Sequence, residues 1–212
     1  GAICKKYGAV FHSDTVQTVG HYPFDLKKTP VHFITAAAHK FHGPKGVGML
    51  YINEEVKIHP YIHGGSQERN MRAGTENVYG IVGFAKALEL ASARMESEKK
   101  EVLKLKRYMA GRLKEAIPGV VFNGDPFGNS LYTVLSVGFP KSEKSEMLLF
   151  NLDINNICAS GGSACTSGAE LGSHVIRAIY PDSDRITVRF SFNRHNSEQE
   201  ADRVVEKLKE LI

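Results

Sequence analysis

Lys40 is the residue of this sequence best placed to do covalent chemistry. It follows a run of small and apolar residues, Ile34 with Ala36, Ala37 and Ala38, and His39 stands directly before it. An amine that attacks a carbonyl must lose its proton, and desolvation or a neighbouring cation brings that about. Gly43-Pro44-Lys45-Gly46 follows, a stretch in which backbone can approach a ligand closely. It lacks the Gly-Lys-Ser/Thr ending of a nucleotide P-loop. Most loop lysines are simply solvated; the two flanking runs single this one out. Asp14 ends an earlier apolar stretch, with Gln17 three residues on. An acid at the carboxyl end of a strand either pairs with a protonated ring nitrogen of a heterocyclic cofactor or caps the following turn. The residues alone leave both roles open.

A second group lies in the other half of the chain. Cys165 sits within Ser160-Gly-Gly-Ser-Ala-Cys-Thr-Ser-Gly168, which is too rich in glycine and serine to pack as core. A thiol in such a loop is reactive rather than structural. Cys4 and Cys158 lie in apolar segments and read as small hydrophobes. Arg189 belongs to the alternating run Thr187-Val188-Arg189-Phe190. A guanidinium there clamps a carboxylate through two parallel bonds, or it lies on a solvated strand face; without further context the solvated face is the simpler reading. His39 and His42 are three apart, but no third ligand follows at a useful spacing, so we expect no metal.

These residues need elements to hold them. Ala9–His12, Val31–Ala38 and Gly46–Ile52 read as strands, with Ser13-Asp14 and His39-Lys40 just past the first two. Polar residues where strands end point to a site at the carboxyl edge of a sheet. Gly64–Thr75 is a polar loop without periodicity. From about Asn77 to Ile117 the pattern is helical, with Ile81, Phe84, Leu88, Val102, Leu105, Met109 and Leu113 among its apolar positions. Pro118-Gly119 stops it. Val120–Phe122, Leu131–Val137, Ile157–Cys158 and Ile186–Phe192 read as strands, and Ser145–Leu152 as a helix. Ser197 and Glu200 form a capping box ahead of an amphipathic last helix. Gly1–Tyr7 reads as the last turns of a helix, with Gly8 as its stop, so the chain reads as beginning inside an element.

Composition narrows the class. The sequence has 212 residues, enough for one large or two small domains at roughly 150 residues each. An apolar share of 42% and a charged share of 24% fit a globular chain and exclude a disordered one. A net charge of +4 is too small to argue for nucleic acid. No run approaches the ~18 apolar residues of a membrane helix, and no signal peptide opens the chain. Three widely spaced cysteines do not make a disulfide framework, so we expect a reducing, cytoplasmic setting.

Four pieces occur in order over essentially the whole chain. They are Asp14-x-x-Gln17; Ala38-His39-Lys40-Phe-His-Gly-Pro-Lys-Gly-Val-Gly48; His63-Gly-Gly-Ser-Gln-Glu-Arg-Asn-Met-Arg72-Ala-Gly-Thr75; and Ser160-Gly-Gly-Ser-Ala-Cys165. Each is weak alone, but in sequence they resemble a cysteine desulfurase of group I, the NifS/IscS type. The resemblance implies an α/β fold of fold type I, like aspartate aminotransferase. Residues 1–87 would be the end of the large cofactor-binding domain, and 88–212 a small α+β domain with the cysteine loop. It implies pyridoxal 5′-phosphate bound covalently through Lys40, which then moves protons. Asp14 would pair with the ring nitrogen, Gln17 with the ring hydroxyl and His39 with the phosphate. Thr75 would reach the phosphate site of the neighbouring subunit in a homodimer. Arg189 would bind the carboxylate of L-cysteine. Cys165 would take the sulfur as a persulfide and release alanine, on a loop expected to be mobile. The sulfur would go to an acceptor or scaffold protein for iron–sulfur clusters or tRNA thiolation, with no membrane or direct nucleic-acid partner.

Two departures qualify this picture. Similar enzymes carry Ser or Thr two residues before the histidine, where this chain has Ala37; Thr35 shares its strand face. The N-terminal half of such enzymes is unmatched, including part of the phosphate site. We therefore expect a chain that binds the cofactor weakly or not at all and is inactive by itself. The competing readings are a non-catalytic dimerisation or acceptor-docking module, a related aminotransferase or selenocysteine lyase, and a thiol redox sensor. The sensor explains neither Lys40 nor Arg189.

Overall fold

The computed structural model describes residues 1–142, 144–161 and 173–212. Helix α1 (Ala2–Lys6) closes through Tyr7, with Gly8 at φ +63°. The left-handed backbone there is why glycine stands at that position. Three strands follow: β1 (His12–Asp14), β2 (Phe33–Ala37) and β3 (Gly48–Ile52). β1 runs parallel to β2, with Asp14 level with Thr35; β3 returns antiparallel, with Gly48 level with Ala37. The carboxyl ends of β1 and β2 and the amino end of β3 therefore share one sheet edge.

β2 ends earlier than its apolar run suggests, because Ala38–Phe41 closes into a 3-10 turn. β1 lies later than expected, since Ala9 and Val10 are exposed and take no place in the sheet. The period-2 pattern of β2 buries Ile34 and Ala36 on one face and leaves Thr35 and Ala37 half-buried on the other. Ala36, Ala38 and Phe41 join Val19 and Phe84 in a small core, with Val47, Met49, Ala87 and Leu88 packed against it. Phe41 and Phe84 meet edge to face, their ring centroids 5.2 Å apart. Gly43 makes this closure possible: a Cβ there would stand 2.8 Å from the Cβ of Ala38 and 3.0 Å from that of Ala87.

Helix α2 (Val78–Ala116) has 39 residues, about 58 Å of helix. The side chain of Asn77 accepts a bond from Gly80 N–H at its start, and Gly119 turns left-handed after its end. The chain divides inside this helix into two compact units, Gly1–Met95 and Glu96–Ile212.

The second unit has a three-stranded antiparallel sheet of β4 (Val121–Phe122), β5 (Val134–Phe139) and β6 (Ile186–Ser191), with β5 in the middle. Its helices are the end of α2, α3 (Leu148–Ile154), α4 (His174–Ile179) and α5 (Glu198–Leu211). In this unit the apolar stripes read from the sequence are buried, Val102, Leu105, Met109 and Leu113 on α2 and Ala201, Val205 and Leu208 on α5, whereas Ile81 near the start of α2 is exposed. The capping box forms, with Glu200 N–H donating to Ser197 Oγ and Ser197 N–H to Glu200 Oε2. The helix expected at 145–152 opens instead as a 3-10 turn over Lys144–Met147, since Ser142 and Ser145 hydrogen-bond each other reciprocally ahead of it.

One expectation fails here. Ile157–Cys158 is not a strand: Ile157 N–H bonds back to the Leu152 carbonyl, completing the end of α3 with Asn156 at φ +59°. Helix α4 has only six residues, too few for the spacing of Val175, Ile176 and Ile179 to stand out as a helical period; Ser173 caps it by accepting from Ile176 N–H.

Candidate functional site

The first unit assembles its residues at the shared sheet edge. Asp14 is the last residue of β1, Gln17 lies in the turn after it, and His39 and Lys40 sit in the 3-10 turn that ends β2. Parallel pairing of β1 and β2 is what brings the acid and the lysine to the same side. Asp14 Oδ1 accepts from Val16 N–H at 2.9 Å, so the turn-capping role is real. That bond also fixes the carboxylate at the edge. Thr15 locks the same corner: its N–H and its hydroxyl both donate to the Thr35 carbonyl, at 3.1 and 2.6 Å.

Lys40 is half-buried, and among the described residues no carboxylate pairs with its amine. Its carbonyl accepts from the ring of the buried His21, at 3.1 Å. Nothing in the sequence marks His21; the only signal is the glycine before it. His42, at φ +66°, turns the chain, and Gly43 N–H returns to the Ala38 carbonyl at 2.8 Å. Gly46, at φ +80°, has open space around it. His39, Gln17 and Thr75 are exposed. Thr35 shares the face of Ala37 but lies about 6.6 Å further from the edge, two residues at ordinary strand rise. Its hydroxyl does not stand in for one at position 37.

The loop before Thr75 is built more tightly than its composition suggests. Glu68, Arg69 and Asn70 all have positive φ. Such backbone costs about 1–2 kcal/mol for each residue that has a Cβ. Side-chain bonds support the loop: Arg72 donates to the carbonyls of Ala73 and Gly74 and to Glu68 Oε1, and Gly74 N–H donates to Gln67 Oε1.

In the second unit Arg189 is half-buried on β6 and bridges Ser160. The two residues exchange backbone bonds, and Arg189 Nε donates to Ser160 Oγ at 3.2 Å. A solvated strand face is thus not what Arg189 occupies; it holds the start of the cysteine loop. Its two terminal nitrogens bond no described residue. Gly161 follows, where a Cβ would stand 2.4 Å from Leu149 Cδ1. Cys165, and with it the expected mobility of its loop, lies outside the described residues. Cys158 is exposed, not a buried hydrophobe; it opens on a cleft with Met109, Phe190 and Arg203, because its strand does not form. Cys4 is half-buried. Among the described residues no three His, Cys, Asp or Glu side chains gather as metal ligands.

The donor set fits pyridoxal phosphate on the amine and ring side. Lys40 offers an amine that pairs with no carboxylate among the described residues, and Asp14 offers an oriented acid at the same edge. Position 37, where the resemblance places a hydroxyl, is alanine.

Comparisons with known proteins bear on the family and the fold. The family model for class-V aminotransferases matches residues 1–204. The cysteine desulfurase IscS of Dictyoglomus turgidum is 41% identical over 99% of this chain, and that of Methanosarcina thermophila 44% over all of it. The chain spans about half the length of these curated relatives, 53% and 52%. Among solved structures, a NifS-like protein from Rickettsia africae superposes with a TM-score of 0.87 at 29% identity, over 99% of this chain and 55% of that one. A further NifS-like protein gives 0.84 at 37% identity, over 98% and 54%. The fold is therefore the α/β fold of type I, and the chain belongs to the class-V aminotransferase family, where its close relatives are cysteine desulfurases of the IscS and NifS kind.

Proposed function

We propose that this chain supplies the lysine, the ring acid and the sulfur-accepting thiol of a cysteine desulfurase that uses pyridoxal phosphate. The observation that carries the reading is the parallel β1–β2 pair, which sets Asp14 and Lys40 at one edge. When bound, the cofactor draws electron density from the carbons of the amino acid. Lys40 holds it and shuttles protons, Asp14 keeps its ring protonated, Gln17 and His39 bind its polar groups, and Arg189 takes the carboxylate of L-cysteine. The Cys165 thiolate attacks the substrate sulfur. An S–S bond forms as the C–S bond breaks, the electron pair of the C–S bond stays on carbon, and that carbon takes a proton to give alanine. Sulfur is oxidised and carbon reduced in one step, so no outside oxidant is needed.

A homodimer, with Thr75 serving the neighbouring subunit, is supported by exposed apolar side chains on both sides of that residue: Tyr61, Ile62, Val78, Tyr79 and Val82. In this reading residues 1–87 close a large domain and 88–212 form a small one. The sulfur then passes to an acceptor or scaffold protein. A cytoplasmic setting accords with the family and with the absence, among the described residues, of a helix long and apolar enough to cross a membrane.

The test takes the protein as its gene encodes it, with cysteine and a reductant. Sulfide and alanine should appear in equal amounts, and both should vanish in Cys165→Ala and Lys40→Ala. Keto-acid release that survives Cys165→Ala would indicate an aminotransferase. A colourless protein that pyridoxal phosphate cannot reconstitute would indicate a docking module.

A further inference from the structure

Lys40 is held through its main chain by a residue outside all four motifs. His21 is buried, and its Nε2 stands 3.1 Å from the Lys40 carbonyl oxygen. A carbonyl only accepts, so the ring nitrogen that faces it carries the proton. Gly20, just before, has φ +82°, and a Cβ there would stand 2.7 Å from the Cβ of Phe41. The chain thus passes bare backbone against Phe41 and delivers the imidazole to the residue before it. The 3-10 turn is fixed at three points: Ala38, fully buried beside Gly43; Phe41, between Gly20 and the Phe84 ring; and the Lys40 carbonyl on His21. None of the three uses the lysine side chain.

We propose that His21 is a positioning residue for Lys40, its Nε2–H fixing the main chain so that the amine is presented at one place on the sheet edge. The purpose assigned to that amine rests on the desulfurase reading; the positioning itself does not. A last-turn carbonyl of a 3-10 helix has no partner within the helix, and here a side chain nineteen residues away donates to it.

The test compares the wild type with His21→Leu, which keeps bulk but has no donor, and His21→Gln, whose amide N–H reaches about as far as Nε2. Each protein is reductively methylated with limiting formaldehyde and cyanoborohydride, and the rates at Lys40, Lys5 and Lys86 are read by peptide mass spectrometry. In a parallel sample each receives pyridoxal phosphate and then borohydride, and the label on Lys40 is measured. His21→Leu should change the Lys40 rate about fivefold, the scale of one neutral hydrogen bond, and leave Lys5 and Lys86 unchanged. His21→Gln should restore the wild-type rate. If His21→Leu does not fold, His21→Asn, one methylene shorter than Gln, should show the same selective change. A Lys40 rate that is unaltered, or that moves in step with Lys5 and Lys86, overturns the proposal. All variants are made in the protein as its gene encodes it; a wild type of that length whose Lys40 takes no cofactor label refutes the desulfurase reading, while the methylation ratios still decide the role of His21.

Discussion

Asp14 is the residue in which a structural and a chemical role meet. Its Oδ1 caps the turn at Val16, and its charge faces the edge that Lys40 shares. Asp14→Asn keeps an acceptor for Val16 N–H and removes the charge. The fold should survive, while the cofactor's affinity, titrated by its visible absorbance, should fall about tenfold or more, as the loss of one charged partner predicts. Lys106 shows the opposite case, a buried lysine with no chemistry to do. It donates to Ser130 Oγ and the Leu131 carbonyl, at 2.8 and 2.9 Å, and burial pulls its pKa below the ordinary 10.5. Between that lowered value and 10.5 the unfolded chain holds more protons than the folded one, so this group's contribution to stability rises with pH across the window. Chemical denaturation of Lys106→Met against wild type should show the gap shifting in favour of the variant as pH falls through it. The thiols differ as well: in Cys165→Ala protein, Cys158 should react with an aromatic disulfide reagent well before the half-buried Cys4.

At the scale of elements, turns and caps rather than strands place the site. The strand residues of β2 set only which face is buried; the 3-10 turn after it presents Lys40. Gly20→Ala would force a Cβ against Phe41 at a positive φ. It should cost roughly 1–3 kcal/mol, read as a lower urea midpoint, and should disturb the lysine turn directly. In the second unit α5 depends on its start. Ser197→Ala should destabilise that unit by about 1 kcal/mol, because Glu200 N–H loses its acceptor. Arg194 with Glu98, at 3.2 Å, and Tyr108 with Asp202, at 2.9 Å, tie the second half of α2 to the chain around α5, so the loss should be felt beyond the helix.

For the whole molecule the question is what covers the exposed apolar residues of the first unit. Tyr61 is 93% exposed and Tyr79 86%, far beyond an ordinary surface tyrosine. Sedimentation at rising concentration should give twice the chain mass, and Tyr79→Asp should return the monomer with its helix content intact. The family was legible beforehand, since four short motifs in order leave few alternatives. Arg189 was half legible: its strand could be read, but not its bond to Ser160. Cys158 was misread because an apolar neighbour was taken as a sign of burial, and no strand forms there to bury it.

By itself the sequence determined what is local: which faces of α5 and of the second half of α2 are buried, where Gly8 and Gly119 stop helices, and where Ser197 caps one. Periodicity and capping act within a few residues, so composition and spacing report them. The tertiary structure alone decided that Asp14 and Lys40 share an edge, that Ser160 is held by Arg189, and that His21 reaches Lys40. Parallel pairing depends on register between distant segments. The His21 contact is made to a backbone carbonyl, a group that every residue carries, so no choice of side chain at position 40 could have announced it.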